Sequence, residues 1–373
     1  MDIRSIDEAL EEGARRGAYP GAVLVVSREG EVVLERAVGA RSSDPGADPM
    51  RVETVFDLAS LTKPLATTLA FLVLVKQGRL TFDDRVTRFF HNFGVHKKTH
   101  VTFRHLLTHS SGLVAHRAFY KEAAKEARRR LNFLGSREAK EWVFEKIHRD
   151  KLEQPPGEKA VYSDLGFMLL GQTIETISGH TLDRFCQRYL FGPLGLRALS
   201  FIDLSQVRTQ RVAPVAEMIA PTQRCPWRGR VLCGEVDDEN AWAMGGVAGH
   251  AGLFGSARDV DALARVLVGA SIGENDFLPR DLIEQMWRRD ETVAGSTRAL
   301  GWDTPAETGS AAGTKVGPRT VGHLGFTGTS LWIDRDRRLQ ITLLTNRVHP
   351  SRDNDRIREL RPRIHDAVLE ALG

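Results

Sequence analysis

Apolar positions in residues 3–17 recur at helical spacing. Ile6, Leu10 and Ala14 share one face among charged neighbours, which predicts an amphipathic helix. The period then changes. In AYPGAVLVVSREGEVVLERAVG two β-branched runs flank Arg28-Glu29-Gly30, and that turn chemistry predicts a β-hairpin. A polar Gly/Pro link, SSDPGADPM, leads into DLASLTKPLATTLAFLVLVKQG at residues 57–78. This is a nearly continuous apolar helix pattern with one serine and one lysine at its mouth.

From about residue 80 to 255 helical patterns dominate. RHLLTHSSGL reads as a short helix stopped by Gly112, and residues 120–150 as charged helical segments. YSDLGFMLLGQTIETISG reads as a long helix that Asp164 can cap and Gly179 can stop. TLDRFCQRYLFGPLGL adds another helix. ARDVDALARVLVGA begins a helix near residue 257, and strands then return in TVGHLGFTG, TSLWID and LQITLLTNR before a basic helix closes the chain. The order of strands, helices, then strands predicts an α+β fold. Its sheet comes from both chain ends, residues 1–79 plus 256–373, with an inserted mainly helical subdomain at 80–255.

The length of 373 residues exceeds a typical single domain and agrees with an insertion. With 42% hydrophobic and 27% charged residues the composition is that of an ordinary soluble globular protein. The net charge is only +4, and the basic run EARRRL near residue 130 lacks interleaved aromatics. It reads as a solvated helix face, not a nucleic-acid site. No segment reaches the roughly 18 to 20 apolar residues of a membrane span, since LATTLAFLVLV ends in charge. The first residues carry no apolar signal-peptide core, so the expected location of the chain as given is cytoplasmic. Cys186, Cys225 and Cys233 are odd in number and lack metal spacing. Free thiols are expected, although Cys225 and Cys233 could meet in space.

Ser60 stands three residues before Lys63. Taken alone, the pair fits two readings: a helix-capping serine with a solvated lysine, or a nucleophile with its own amine. The i, i+3 spacing puts both side chains on one helix face. The apolar helix that follows (Leu65, Leu69, Leu72, Leu74) would bury Lys63, and burial lowers a lysine pKa. A helix N-terminus also offers backbone donors to an oxyanion. Tyr162-Ser163-Asp164 stands about a hundred residues on, at a helix start, and His323-Leu324-Gly325 lies in a strand near the C-terminal end.

S-x-x-K, then a Tyr-centred motif, then H-x-G on a late strand resembles the penicillin-recognising serine hydrolases. That superfamily holds class C β-lactamases, DD-peptidases and family VIII carboxylesterases. VFDLASLTKPLATTLA, RHLLTHSSGL, YSDLGFMLLG, LFGPLGL and GFTGTSLWID carry the resemblance over nearly the whole chain. RVLCGEVDDENAWAMGGVAGHAGLF resembles a subgroup of bacterial β-lactamase-related hydrolases. The resemblance implies one β-lactamase/DD-peptidase-like catalytic domain that forms an acyl-enzyme without metal or cofactor. It implies Ser60 as nucleophile, Lys63 and Tyr162 as proton-handling residues, and the Ser60 and Phe326 amides as the oxyanion hole. Asp164, His323 and Gly325 would contact substrate. The expected partner is a small ester, amide or β-lactam.

Two departures matter. Asp164 stands where relatives have Asn, so it accepts hydrogen bonds without donating. Its charge also favours a charged Lys63. His323-Leu324-Gly325-Phe326 replaces Lys-Thr-Gly-Ser, a weaker and more apolar carboxylate clamp that Thr327 would partly compensate. Both departures favour simple esters or small amides over penicillins and D-Ala-D-Ala peptides. His250, in the Gly-rich loop GGVAGHAGLFG, is a competing H-x-G; it fits a pocket-lining and a structural role equally. Arg347 reads as a surface residue with a carboxylate anchor as the alternative. Glu235, Asp237, Asp238 and Glu239 read as a solvated or capping loop before a cation site. His105 and His109 have zinc-like i, i+4 spacing but no third ligand.

Overall fold

The computed structural model describes residues 3–210 and 215–372. Strands β1 (Gly21–Arg28), β2 (Glu31–Gly39), β3 (Val321–Leu324), β4 (Ser330–Asp334) and β5 (Leu339–Thr345) form one antiparallel sheet in the order β2-β1-β5-β4-β3. The helices that matter here are α1 (Arg4–Arg15), α2 (Leu69–Lys76), α3 (Asp164–Ser178), α4 (Ala257–Ile272) and α5 (Ile357–Leu372).

Period-2 alternation explains the layering. β1 is buried along its length except at Arg28, because both faces of the sheet are covered. Val23 and Val25 point into one core with Leu331, Ile333 and Leu344, under α4. Leu24 and Val26 point into the other with Leu339, Ile341 and Leu343, against α1 and α5. α1 contributes Ile6 and Leu10 and α5 contributes Leu360, Ile364 and Val368. Each such fully buried aliphatic side chain contributes about 1.5–3 kcal/mol relative to exposure. The predicted hairpin is present, with a register shift between Val26 and Ser27.

A second, small sheet pairs Val55–Asp57 with Leu253–Ser256, which also pairs with Ser200–Phe201. It brings the start of the Ser60 segment beside the loop that carries His250. The residues between the two contributions to the large sheet are mainly helical and include α3 and Arg137–Arg149.

The apolar segment after Ser60 differs from its sequence reading in two ways. By length and composition the helical run Ala59–Lys76 does pass for a membrane span, and 83% of it is buried inside the fold. It is also not one regular helix. Ala59–Leu61 is a tight 3-10 turn and Lys63–Thr68 a wide π-helical turn, before α2 begins. Cys225 and Cys233 are separate free thiols.

Candidate active site

The Ser60 turn is held in an uncommon conformation. Ala59, just before it, has a left-handed φ of 46°, which costs a non-glycine residue energy. Asp57 stabilises that turn. One of its carboxylate oxygens accepts the Ala59 N–H at 2.9 Å and the other accepts the Asp237 N–H at 2.6 Å. Burial, then the neighbouring Asp237, push the Asp57 carboxyl up to about 7. Thr62 Oγ1 donates to the Ala59 carbonyl at 2.6 Å and accepts the Leu253 N–H at 3.1 Å.

Lys63 is fully buried one turn below Ser60. Its Nζ donates to Ser60 Oγ at 3.0 Å and to the His250 carbonyl at 3.0 Å, and it pairs with Asp164 Oδ1 at 2.9 Å. Burial pulls the Lys63 pKa down, but the charge of Asp164 and the nearness of Tyr162 outweigh it, and the net direction is up. Asp164 is held well below the usual carboxylate range. Burial alone would raise it; Lys63 and the His116 imidazole, 3.7 Å away, reverse that. The Lys63 ammonium also sits 4.8 Å from the Tyr162 ring centre.

Asp164 does not cap its helix, as the sequence had suggested. Ser163 is the N-cap residue, without a side-chain capping bond, and Asp164 begins α3 with its carboxylate turned to Lys63. The 161–164 segment is tied down by the loop after RHLLTHSSGL. Val161 N–H donates to the His109 carbonyl at 2.8 Å, Ser163 N–H to His109 Nδ1 at 3.0 Å and Asp164 N–H to the Ala115 carbonyl at 3.0 Å. The His109 ring packs 4.5 Å from the Tyr162 ring. Burial keeps His109 neutral, well below its ordinary pKa.

β3 brings His323 to the same place. Its ring is buried and lies 6.0 Å from that of Tyr162. Burial, then Lys63 and Arg298, push its pKa down to about 3. Its Nδ1 lies 2.8 Å from the Leu324 carbonyl, which can only accept, so Nδ1 carries the proton and Nε2 is an acceptor. Gly325 allows the next turn to press on the Ser60 segment. A Cβ there would stand 2.0 Å from Thr329 Oγ1 and 2.5 Å from the Leu58 carbonyl. Thr327 and Thr329 donate to the Asp57 and Leu58 carbonyls at 2.7 and 3.1 Å. Thr327 is therefore a buried brace, not the pocket-facing hydroxyl expected from sequence. Ser60 lies in the first turn of its helical segment, where N–H groups lack helical acceptors. Among the described hydrogen bonds the Phe326 N–H donates to no protein acceptor.

These groups line one cavity of about 550 Å³ that includes Ser60, Tyr162, Asp164, His250, His323 and Gly325. A family model described as Beta-lactamase matches residues 6–364. The chain belongs to the beta-lactamase family. It is 32% identical over 353 residues, 89% of this chain and 79% of the relative, to an Escherichia coli (strain K12) protein named "Putative D-alanyl-D-alanine carboxypeptidase". A Salmonella typhi protein of the same name is 32% identical over 91% of this chain and 81% of the relative. Among solved structures, EstCE1, "a hydrolase with promiscuous acyltransferase activity", superposes with a TM-score of 0.75 at 22% identity, covering 98% of each chain. Simvastatin synthase (LovD) of Aspergillus terreus does so with 0.73 at 19% identity over 100% of this chain and 99% of its own. At these identities the two structures share the beta-lactamase-family fold with this chain.

Several neighbours complete the site around the motifs. His250 lines the cavity, while its carbonyl holds Lys63 and its Nε2 lies 2.9 Å from Asp238. Gly249 before it packs on α3 so closely that a Cβ would stand 2.1 Å from the Phe167 carbonyl. His109 backs Tyr162, and His116 faces Asp164. Arg298 lies 5.2 Å over the Tyr162 ring and is paired with Asp303 at 3.1 Å. His116 and Arg298 belong to no short motif, so only tertiary packing identifies them, whereas His250 belongs to the competing H-x-G and the structure places it in the cavity lining. Arg347, read as a surface residue, is buried and lines the cavity. The acidic run is engaged elsewhere: Glu235 by Arg228 and Arg230, Glu239 by Arg352, and Asp238 as the N-cap of Glu239–Ala243.

Proposed function

We propose that this beta-lactamase-family hydrolase cleaves carboxylic esters or small amides through an acyl-enzyme on Ser60. One observation carries the reading: Lys63 Nζ bridges Ser60 Oγ at 3.0 Å and Asp164 at 2.9 Å in a fully buried position. An ammonium held by a carboxylate is a donor, so Ser60 Oγ accepts from it and directs its own proton elsewhere. Tyr162 is the acceptor we assign. Lys63 then acts as the electrostatic partner of the reacting groups. The Ser60 and Phe326 amides receive the oxyanion, and Tyr162 returns the proton to the leaving group. Water then hydrolyses the ester to Ser60.

The test is intact-mass analysis after incubation with a p-nitrophenyl ester, a cephalosporin and a fluorophosphonate. Adducts from the ester and the fluorophosphonate are expected. A folded protein that forms none with any of the three is an inert binding module, and the proposal fails.

A second reading, a penicillin-binding hydrolase acting on β-lactams or cell-wall peptide fragments, is supported by the names of the curated relatives. Asp164 speaks against it, because a carboxylate cannot donate to a substrate's acylamido carbonyl. Asp164→Asn is therefore expected to raise kcat/KM on acylamido substrates relative to simple esters by about tenfold, the worth of one gained hydrogen bond. An unchanged ratio would remove Asp164 from substrate selection.

A further inference from the structure

The acyl-transfer scheme leaves the His250 side chain without a task. Its ring is only 1% exposed and borders the Ser60 cavity. The backbone around it is fixed. The His250 carbonyl accepts from Lys63 Nζ at 3.0 Å, and Lys63 donates to Ser60 Oγ at 3.0 Å, so that carbonyl stands two hydrogen-bond lengths from the nucleophile. Thr67 Oγ1 donates to the preceding carbonyl, that of Gly249, at 2.6 Å. The ring is fixed as well. Nε2 lies 2.9 Å from Asp238 Oδ1, and a carboxylate only accepts, so Nε2 carries a proton. Asp238 is itself anchored, because the same oxygen accepts the Ala241 N–H at 2.7 Å as a helix N-cap. The second ring nitrogen, Nδ1, is buried and has no hydrogen-bond partner among the described residues.

A buried acceptor left unpaired costs free energy, and beside a polar cavity the group that satisfies it is water. Asp237 supplies a second such acceptor on the same wall. Its Oδ2 takes Gln223 Nε2 at 3.2 Å, while its Oδ1 is buried without a partner. Two open acceptors suit a molecule with two O–H donors. The cavity's other imidazoles are committed elsewhere. Burial, then Lys63 and Arg298, push His323 down to about 3, which makes it a weak proton acceptor at neutral pH. His116 is raised by its contact with Asp164, which favours its protonated form. His109, behind Tyr162, spends Nδ1 on the Ser163 N–H. Only His250 combines a carboxylate that fixes the tautomer with a lone pair left free on the cavity side of the chain.

We propose, resting on the acyl-enzyme reading of the site, that His250 is the general base of the second half-reaction, with Asp238 as its positioning residue. His250 Nδ1 takes a proton from water while the water oxygen bonds to the acyl carbon on Ser60. As the tetrahedral adduct collapses, the bond from that carbon to Ser60 Oγ breaks and the proton passes from Nδ1 to Oγ. The products are a free carboxylic acid, the Ser60 hydroxyl and a neutral imidazole. Lys63 and Tyr162 keep the first half-reaction, so acylation and deacylation draw on different bases.

The test is stopped-flow release of p-nitrophenolate from p-nitrophenyl butyrate, with intact-mass analysis of the same mixtures. His250→Ala should keep the rate of the initial burst within about threefold of wild type and slow the steady phase by about 10²-fold or more, the worth of a positioned base. The butyryl adduct on Ser60 should then accumulate, and added imidazole should restore part of the steady rate. A purely structural role would slow both phases together and give no rescue; that result overturns the assignment, as does a steady rate equal to wild type. Asp238→Asn keeps an N-cap but lets an amide donate to Nε2, which moves the ring proton to Nδ1. It should slow the steady phase by about tenfold or more and spare the burst. Should His250→Ala not fold, Asp238→Asn decides, and an unchanged steady rate in that variant sinks the proposal. Acylation of wild type with normal deacylation in the variants removes His250 and leaves the acyl-enzyme reading standing. A wild type that forms no adduct with any ester or fluorophosphonate removes that reading, and the role of His250 with it.

Discussion

Ser60→Ala is expected to lower turnover of any accepted ester by at least ~10³-fold and to abolish the covalent adduct, because it removes the hydroxyl proposed to carry the acyl chain. The loss should be chemical, not structural. The Ser60 hydroxyl is partly buried and its protein partner is Lys63 at 3.0 Å. Without it, Lys63 keeps both the His250 carbonyl and Asp164. The Ala59 turn is held by Asp57 and Thr62, neither of which touches the Ser60 side chain. Stability should therefore stay within about 1 kcal/mol of wild type. Thermal melting and intact-mass labelling on the same sample check both halves. An adduct that forms on Ser60→Ala at the wild-type rate would show that the nucleophile lies elsewhere.

Lys63→Met should damage both activity and folding. Turnover is expected to fall about 10²–10⁴-fold, the usual worth of positioned proton-transfer groups. Stability should fall by about 3 kcal/mol, the low end for breaking a buried pair, because Asp164 keeps 19% of its side chain exposed. The pH dependence carries the sign. In wild type the Asp164 carboxyl lies far below its unfolded value, so its contribution is present above about pH 4 and is lost only in stronger acid. Remove Lys63, and burial is opposed mainly by His116. The Asp164 pKa then rises, and the charged form becomes a liability at neutral pH. The stability deficit of Lys63→Met should therefore be largest near pH 7 and shrink as the pH falls toward about 4 to 5. Adding Asp164→Asn should restore part of the loss. Denaturant titrations of both variants across that range decide the matter. A deficit independent of pH, with additive single variants, would mean that the two residues are not energetically coupled.

The coupling of Lys63 and Asp164 was half legible in the sequence. Replacing the expected Asn with Asp implied a more charged Lys63, and the 2.9 Å pair agrees. The geometry of the nucleophile turn was not legible. The pattern of residues 57–78 reads as one apolar helix, whereas the chain passes through a left-handed Ala59, a 3-10 turn and a π turn before regular helix. Each irregularity answers a partner from a distant segment: Asp57 bonded to Asp237, Thr62 to Leu253, Lys63 to the His250 carbonyl. Local propensity carries no information about such partners. Asp57 belongs to no motif that would single it out in the sequence.

Arg347 is the clearest reversal. An arginine at the end of a strand is usually solvated, and the sequence offers no acidic neighbour to suggest otherwise. In the fold, Phe326 and the 352–354 loop enclose it.

What the sequence determined by itself follows from periodicity and order. The apolar runs AVLVV and LQITLLT set strands, and such runs bury both faces because side chains on adjacent strand positions point to opposite sides. Strands at both ends with helices between set the α+β architecture and its single large sheet. Ser60, Lys63, Tyr162 and His323 were recognisable because each sits in a short motif at an element boundary. What only tertiary structure decided is the company these residues keep. The state of Lys63, the neutrality of His109 and His323 and the cavity they share depend on burial and on charges many residues away in sequence. Electrostatic energy follows distance through a low-dielectric interior, and that distance does not exist until the chain has folded.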